Sequence, residues 1–201
     1  LLINMSVLIF LDQADGHVRK ASLEAACYGA SIAAQTGTTA EAIVLGSVTE
    51  DLPALGKYGV TKIHTVSNPV LNQLDAQVYT KVIAQAVEAT GATVIVFANN
   101  FAGKAIAPGL SARLKAGLVT GAVALPDTSN VFVVKKNVFS GKAFANVAIN
   151  TAVKIISLNP NSYKIVAAEG TAEINQLNIP ITEGKIKVTA TNKVSGEVPL
   201  T

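Results

Sequence analysis

The sequence predicts an α/β fold in three layers: a mostly parallel β-sheet with helices on both faces, extended by antiparallel strands in the second half. Three observations carry this. In the first half, short runs rich in Val and Ile alternate with longer segments of helical periodicity, the pattern of right-handed βαβ units. Hydrophobic residues make up 50% of the chain and charged ones only 14%, enough apolar material for strands buried on both faces. Beyond Leu118 the helical periodicity gives way to period-two alternation around turn residues, which marks antiparallel pairing.

Taken in order, the apolar run at 7–11 reads as a first strand, ended by the polar turn Asp12-Gln13-Ala14-Asp15-Gly16. A helix follows over 20–35, with Leu23, Ala26, Cys27, Ala30 and Ala33 on one face of mostly small side chains, and Gly37 stops it. Residues 42–45 form a second strand, 52–58 a short helix with Pro53 near its first turn, and 62–66 a third strand. A helix over 74–89 places Leu74, Val78, Val82, Ile83 and Ala86 on a shared face before Gly91. The run at 93–97 holds Val94, Ile95 and Val96 without interruption and is strongly β-forming.

The stretch at 97–121, FANNFAGKAIAPGLSARLKAGLVTG, supplies a strand end, an Asn-Asn step and a third helix. Ile106, Leu110, Leu114 and Leu118 repeat every four residues, and burying them contributes on the order of 6–12 kcal/mol before entropy is subtracted. Pro108 must lie early in that helix or kink it. Further strands are expected at 131–134, at 145–149 after the turn Ser140-Gly141-Lys142, and at 153–158 before Asn159-Pro160-Asn161. Two more are expected at 173–177 and 186–190, separated by a turn at Glu183-Gly184.

The totals narrow the function. Mean hydropathy is +0.43, yet no apolar run approaches the roughly 20 residues needed to span a bilayer. The net charge of +3 is dispersed, aromatics are 5% and Trp is absent, which speaks against a nucleic-acid surface with its basic stripe and stacking platforms. Cys27 is the lone cysteine, compatible with a reducing compartment. The start lacks a basic region and a small-residue cleavage site, so a cytoplasmic location is expected, with Met5 as initiator and 1–4 as an extension before it. No zinc spacing, phosphate-binding loop, nucleophile elbow or dinucleotide fingerprint occurs, and His17 and His64 read as ordinary surface or partly buried histidines beside strands. No metal site and no catalytic group are expected.

Candidate functional residues gather at the carboxyl ends of the parallel strands, where ligands and partners of such sheets sit. Asn99 and Asn100 either hydrogen-bond a partner or cap the third helix. Lys104 and Arg113 lie on that helix, and a guanidinium suits a directional contact with another subunit or domain. Asp12 and Asp15 follow the first strand, either as a carboxylate pair for acid–base or metal chemistry or as a hydrogen-bonded polar turn.

Several segments together resemble one family in the same order: VIVFANN, GKAIAPGLSARLKAGLVTG, VFSGKAFANVAI and VKIISLNPNSY, preceded by SVLIFLDQADGHVRKASLEAACYGASIA and followed by VSGEVPLT. That family is the alpha subunit of electron transfer flavoprotein. The resemblance implies a domain over 5–191 related to the adenine nucleotide alpha hydrolase-like fold, and a hinge over 192–201 leading to an FAD-binding domain absent from this chain. It implies FAD bound mainly by that further domain, with no cofactor expected here. It also implies a heterodimer with a beta subunit that shuttles electrons from dehydrogenases to an acceptor oxidoreductase, in which this domain is a non-catalytic scaffold. Asn99, Asn100, Lys104 and Arg113 become its partner-facing candidates. The sequence departs from the family at Ala105, usually an acid, at Gly109, usually arginine, at Gly121, usually aspartate, and near Lys136-Asn137, often Arg-Pro. A second reading is a free-standing nucleotide-binding or regulatory protein of the same fold, with phosphate at the helix start after Asn100. A third is a hydrolase using Asp12 or Asp15.

Overall fold

The computed structural model describes residues 6–186 and 188–190. The extension at 1–4, the initiator Met5 and the hinge at 192–201 lie outside the described residues. Strand β1 (Ser6–Phe10) is followed by a small antiparallel ribbon of β2 (Gln13–Ala14) and β3 (His17–Val18), then by α1 (Lys20–Thr36) and β4 (Thr39–Leu45). A 3-10 turn at Pro53–Tyr58 leads to β5 (Lys62–Val66), α2 (Ala76–Thr90), β6 (Val94–Ala98) and α3 (Phe101–Leu114). Then come β7 (Gly117–Ala122), β8 (Val133–Val138), β9 (Ala143–Ala148), β10 (Lys154–Leu158) and β11 (Glu173–Gln176).

The main sheet has nine strands in the order β11-β5-β4-β1-β6-β10-β7-β8-β9. Its core is parallel, with β1 between β4 and β6. Alternation along β1 separates the layers: Val7, Ile9 and Leu11 belong to the cluster under α1, whereas Leu8 and Phe10 belong to the one under α2 and α3. Phe10 packs against Phe97 with ring centroids 5.5 Å apart. The three-layer fold is therefore formed as expected.

Four expectations need correction. The second half does not add only antiparallel strands: β8 and β9 are antiparallel, but β10 runs parallel between β6 and β7, and β11 runs parallel to β5 at the opposite edge. The run of Ile155 and Ile156, both fully buried, has the apolar character on both faces that a central parallel strand requires. Leu118 is in β7 and not in the third helix, because Lys115 takes a left-handed conformation (φ 51) that ends α3, with its amide on the Ser111 carbonyl. Leu74 precedes α2, which Asp75 caps by accepting hydrogen bonds from the Gln77 and Val78 amides at 2.9 and 3.3 Å. Finally, no strand forms at residues 186 and 188–190.

The buried face of α1 is also wider than its small-residue stripe. Leu23 and Ala30 are only half-buried, while Glu24, Ala25, Tyr28 and Ile32 are buried. The segment after β10 covers the helix from outside: Tyr163 stacks edge-on against Tyr28, and the Asn161 amide donates to Glu24 Oε2 at 2.6 Å. Among the described residues, no helix is long and apolar enough to cross a membrane.

Candidate functional site

The strand order reverses its direction of growth between β1 and β6, and a crevice opens there beyond their carboxyl ends. It has a volume of about 480 Å³, and Asp12, Gln13, Arg19, Leu74, Asn100 and Phe101 are among the residues that line it. Asp12 leaves β1 with its backbone fixed by the start of α1. Its amide donates to Ser22 Oγ at 2.9 Å, and its carbonyl accepts from the Arg19 amide at 3.0 Å.

The Asp12 carboxylate is the chemical centre of the crevice. Its Oδ2 accepts from Asn100 Nδ2 at 2.8 Å and pairs with Arg19 Nε at 3.2 Å. Burial raises the carboxyl above its ordinary range, and Arg19 and the Asn100 amide offset only part of that. Nearby, the Tyr79 phenol donates to the Leu71 carbonyl at 2.6 Å and is pushed up to about 12, by burial first and by the Asp12 charge second.

Asn100 is the N-cap of α3, its Oδ1 accepting from the Gly103 amide at 3.0 Å. One side chain thus caps the helix and holds Asp12. Gly103 is required by close approach, since a Cβ there would overlap the Ala98 carbonyl oxygen. Asn99 turns the other way: its Nδ2 donates to Asn159 Oδ1 at 2.7 Å, and its Oδ1 accepts from Ser157 Oγ at 3.2 Å. That network closes the carboxyl ends of β6 and β10. Gly121, at φ 79, lies against it, with Asn159 Oδ1 3.3 Å from where a side chain would begin.

The structure brings Asp12 and Asn100 together and separates the other candidates. Asp15, at φ 51 in the tight turn between β2 and β3, lines a different depression with Gly16, Thr49 and Asn72. Asp12 and Asp15 therefore line different depressions. Lys104 and Arg113 are exposed on the outer side of α3, without an ion-pair partner among the described residues. Arg113 borders a groove of about 550 Å³ between α2 and α3, whose lining includes Ala76, Thr80, Lys81, Ala105 and Gly109 and no carboxylate.

Sequence reasoning missed two features. Phe101 is 82% exposed at the mouth of the crevice. His64 lies inside β5 and is buried, with Nε2 2.7 Å from Glu41 Oε2 and Nδ1 2.9 Å from Asn175 Nδ2. Because Asn175 donates to Nδ1, the proton sits on Nε2 and points at the carboxylate, so a neutral ring satisfies both contacts. This trio clips β11 onto the sheet and is structural. His17, by contrast, is exposed. Among the described residues, no group of three or more His, Cys, Asp or Glu is placed to hold a metal ion.

The sequence profile of the electron transfer flavoprotein domain matches residues 7–182. The chain belongs to the electron transfer flavoprotein family. It is 27% identical over 156 residues to the electron transfer flavoprotein subunit alpha of Bacillus subtilis (strain 168), covering 78% of this chain and 48% of that protein. To the electron transfer flavoprotein subunit alpha of Syntrophomonas wolfei subsp. wolfei it is 29% identical over 142 residues, 70% of this chain and 44% of the relative. Subunit LctC of the lactate dehydrogenase (NAD(+),ferredoxin) of Acetobacterium woodii is 24% identical over 165 residues, 81% of this chain and 39% of that protein. The chain thus spans less than half the length of these curated relatives. Their names are those of subunits, so the free-standing nucleotide-binding reading is not favoured.

A family named for a flavin raises the question of whether this crevice suits one. The diphosphate of FAD calls for free amides and cations. Here a carboxylate lies one hydrogen bond from the start of α3, Asn100 already takes the Gly103 amide, and Arg19 is paired to Asp12. The crevice does not fit FAD.

Proposed function

We propose that this chain is the amino-terminal scaffold domain of an electron transfer flavoprotein alpha subunit. It packs against a beta subunit, and the heterodimer carries electrons from dehydrogenases to an acceptor oxidoreductase. FAD is held by residues outside this chain, no step of catalysis is performed by it, and the carrier works in the cytoplasm. The observation that carries the reading is the family match over 7–182, joined to a switch-point crevice whose polar groups satisfy one another. Lys104 and Arg113 face the partner, supported by their exposure and by the cationic and neutral lining of the adjacent groove. Asn99 and Asn100 shape the same edge through the loop they hold, since their side chains bond internally.

The test has two arms. The isolated 201-residue chain purifies colourless and shows no FAD binding by fluorescence quenching. Joined to a flavin domain and coexpressed with a beta subunit, it gives a yellow complex that a dehydrogenase reduces. Stoichiometric, tight FAD binding by the isolated chain would refute the proposal.

A further inference from the structure

The groove of about 550 Å³ between α2 and α3 has the shape and charge of a docking site. On α3 its floor carries no side chain longer than a methyl group, since Ala105, Gly109 and Ala112 follow one another along the exposed face of that helix. The two helices touch beneath it, where a Cβ on Gly109 would stand 3.2 Å from Thr80 Oγ1. Longer polar side chains form the walls. Gln77 and Lys81 of α2 stand on one side and Arg113 of α3 on the other, all three exposed.

The charge on this face is almost wholly of one sign. The exposed cations of the two helices and of the residue that ends α3 are Lys81, Lys104, Arg113 and Lys115, against a single exposed acid, Glu88. Glu88 lies about 10 Å beyond Lys81 along α2 and does not line the groove. Neither Lys81 nor Arg113 has an ion-pair partner among the described residues. The geometry also limits what fits. The walls are helices, whose backbone bonds run along their own axes and offer no ladder to an extended strand. A helix brings its own backbone bonds and packs ridges into grooves, with axes about 8–10 Å apart. Because cations stand on both walls, the complementary helix carries carboxylates on both flanks of a narrow apolar stripe. A second copy of this face would set Lys81, Lys104 and Arg113 against themselves, an unfavourable pairing.

We propose that the groove between α2 and α3 seats an acidic amphipathic helix of another polypeptide. That helix lies along Ala105, Gly109 and Ala112, with its carboxylates toward Lys81 and Arg113. This rests on the scaffold reading above in assigning the helix to the beta subunit. It gives the partner-facing side of α3 a defined contact, with close approach over small residues at the centre and charge pairs at the rim.

The experiment uses the heterodimer with the beta subunit. A photo-reactive side chain is placed at Ala112 and the cross-linked peptide is identified. Affinity is measured for Lys81→Glu, for Ala105→Leu/Ala112→Leu, which raises the floor, and for Ala105→Ser/Ala112→Ser, which does not. Lys81, Ala105 and Ala112 are exposed, so these substitutions leave the core intact. The expected results begin with a cross-link to an acidic helical stretch of the beta subunit. Lys81→Glu loses about tenfold in affinity, less as salt rises. The leucine pair loses at least about tenfold at any salt, and the serine pair is unchanged. A heterodimer that forms but gives no cross-link from Ala112, or one only to a stretch without acidic residues, overturns this inference and leaves the scaffold reading standing. So does indifference to both Lys81→Glu and the leucine pair. Absence of any heterodimer overturns the scaffold reading, and this inference falls with it. A cross-link within the chain itself or between two copies of it would mean a different occupant and would also overturn it.

Discussion

Asn100→Ala is the variant that best separates a structural from a contact role for the Asn-Asn step. It removes two interactions at once. The N-cap to the Gly103 amide, at 3.0 Å, is of a kind whose loss typically costs about 1 kcal/mol. The bond from Nδ2 to the Asp12 carboxylate, at 2.8 Å, is charge-assisted, and such bonds are worth about 1.5–3 kcal/mol. Asp12 keeps the Gln13 backbone amide and Arg19, the latter on a side chain that is 55% exposed. The expected loss at neutral pH is therefore about 2–4 kcal/mol, read from urea unfolding at constant m-value. Below the ordinary carboxyl pKa of 3.8 the second part disappears, because Asp12 is protonated, and a loss of about 1 kcal/mol should remain. Asn100→Asp keeps a competent cap but sets a carboxylate against Asp12, so it should destabilise at pH 7 and recover in acid. A loss below about 0.5 kcal/mol for the alanine variant, or an aspartate variant as stable as the parent at pH 7, would refute this account of the crevice.

Other expectations follow from the same geometry. In Gly109→Ala, the helix-propensity gain of about 1 kcal/mol competes with a Cβ placed 3.2 Å from Thr80 Oγ1. The Thr80 bond to the Ile106 carbonyl is long, at 3.5 Å, so Thr80 can yield, and calorimetry should show Tm rising by about 1–2 °C; a clear fall would mean that α2 cannot give way. For Asp12 the folded pKa is raised, chiefly by burial, so its contribution is most favourable below the unfolded pKa and declines as pH rises through the folded value. Asp12→Asn should flatten that decline upward from about pH 4 in pH-dependent denaturation, and an unchanged profile would contradict it. Asn175→Ala strands His64 Nδ1 and should speed amide exchange in β11 with a loss of about 1–3 kcal/mol; unchanged exchange would remove the clip from the account.

What the sequence disclosed and what it hid divide along sequence separation. The strand β6, the ends of α1 and α2 at Gly37 and Gly91, and the cap at Asn100 rest on local signals, and all are present. Helix α3 ends on Lys115, a residue that gives no such signal, so the four-residue spacing ran on to Leu118 across a break that only φ reveals. The buried face of α1 is wider than its own periodicity indicates, because Tyr163 and Asn161 cover it from another part of the chain. The crevice was legible in its parts but not in its assembly, since Asp12 and Asn100 are 88 positions apart. Pairing of β10 between β6 and β7 is likewise a long-range choice that period-two alternation cannot make.

The partner-facing reading of α3 makes a claim that charge reversal can test. Lys104 and Arg113 are exposed on the outer side of that helix, and the groove that Arg113 borders has no carboxylate in its lining. Lys104→Glu/Arg113→Glu should therefore weaken the heterodimer by about tenfold. The effect should shrink as the Debye length falls from about 10 Å at 0.1 M salt to about 3 Å at 1 M. Sedimentation of the heterodimer across a salt series checks the claim, because a structural effect of the two substitutions would not vary with salt in this way. A heterodimer indifferent to the double charge reversal at low salt would remove this face of α3 from the contact with the partner.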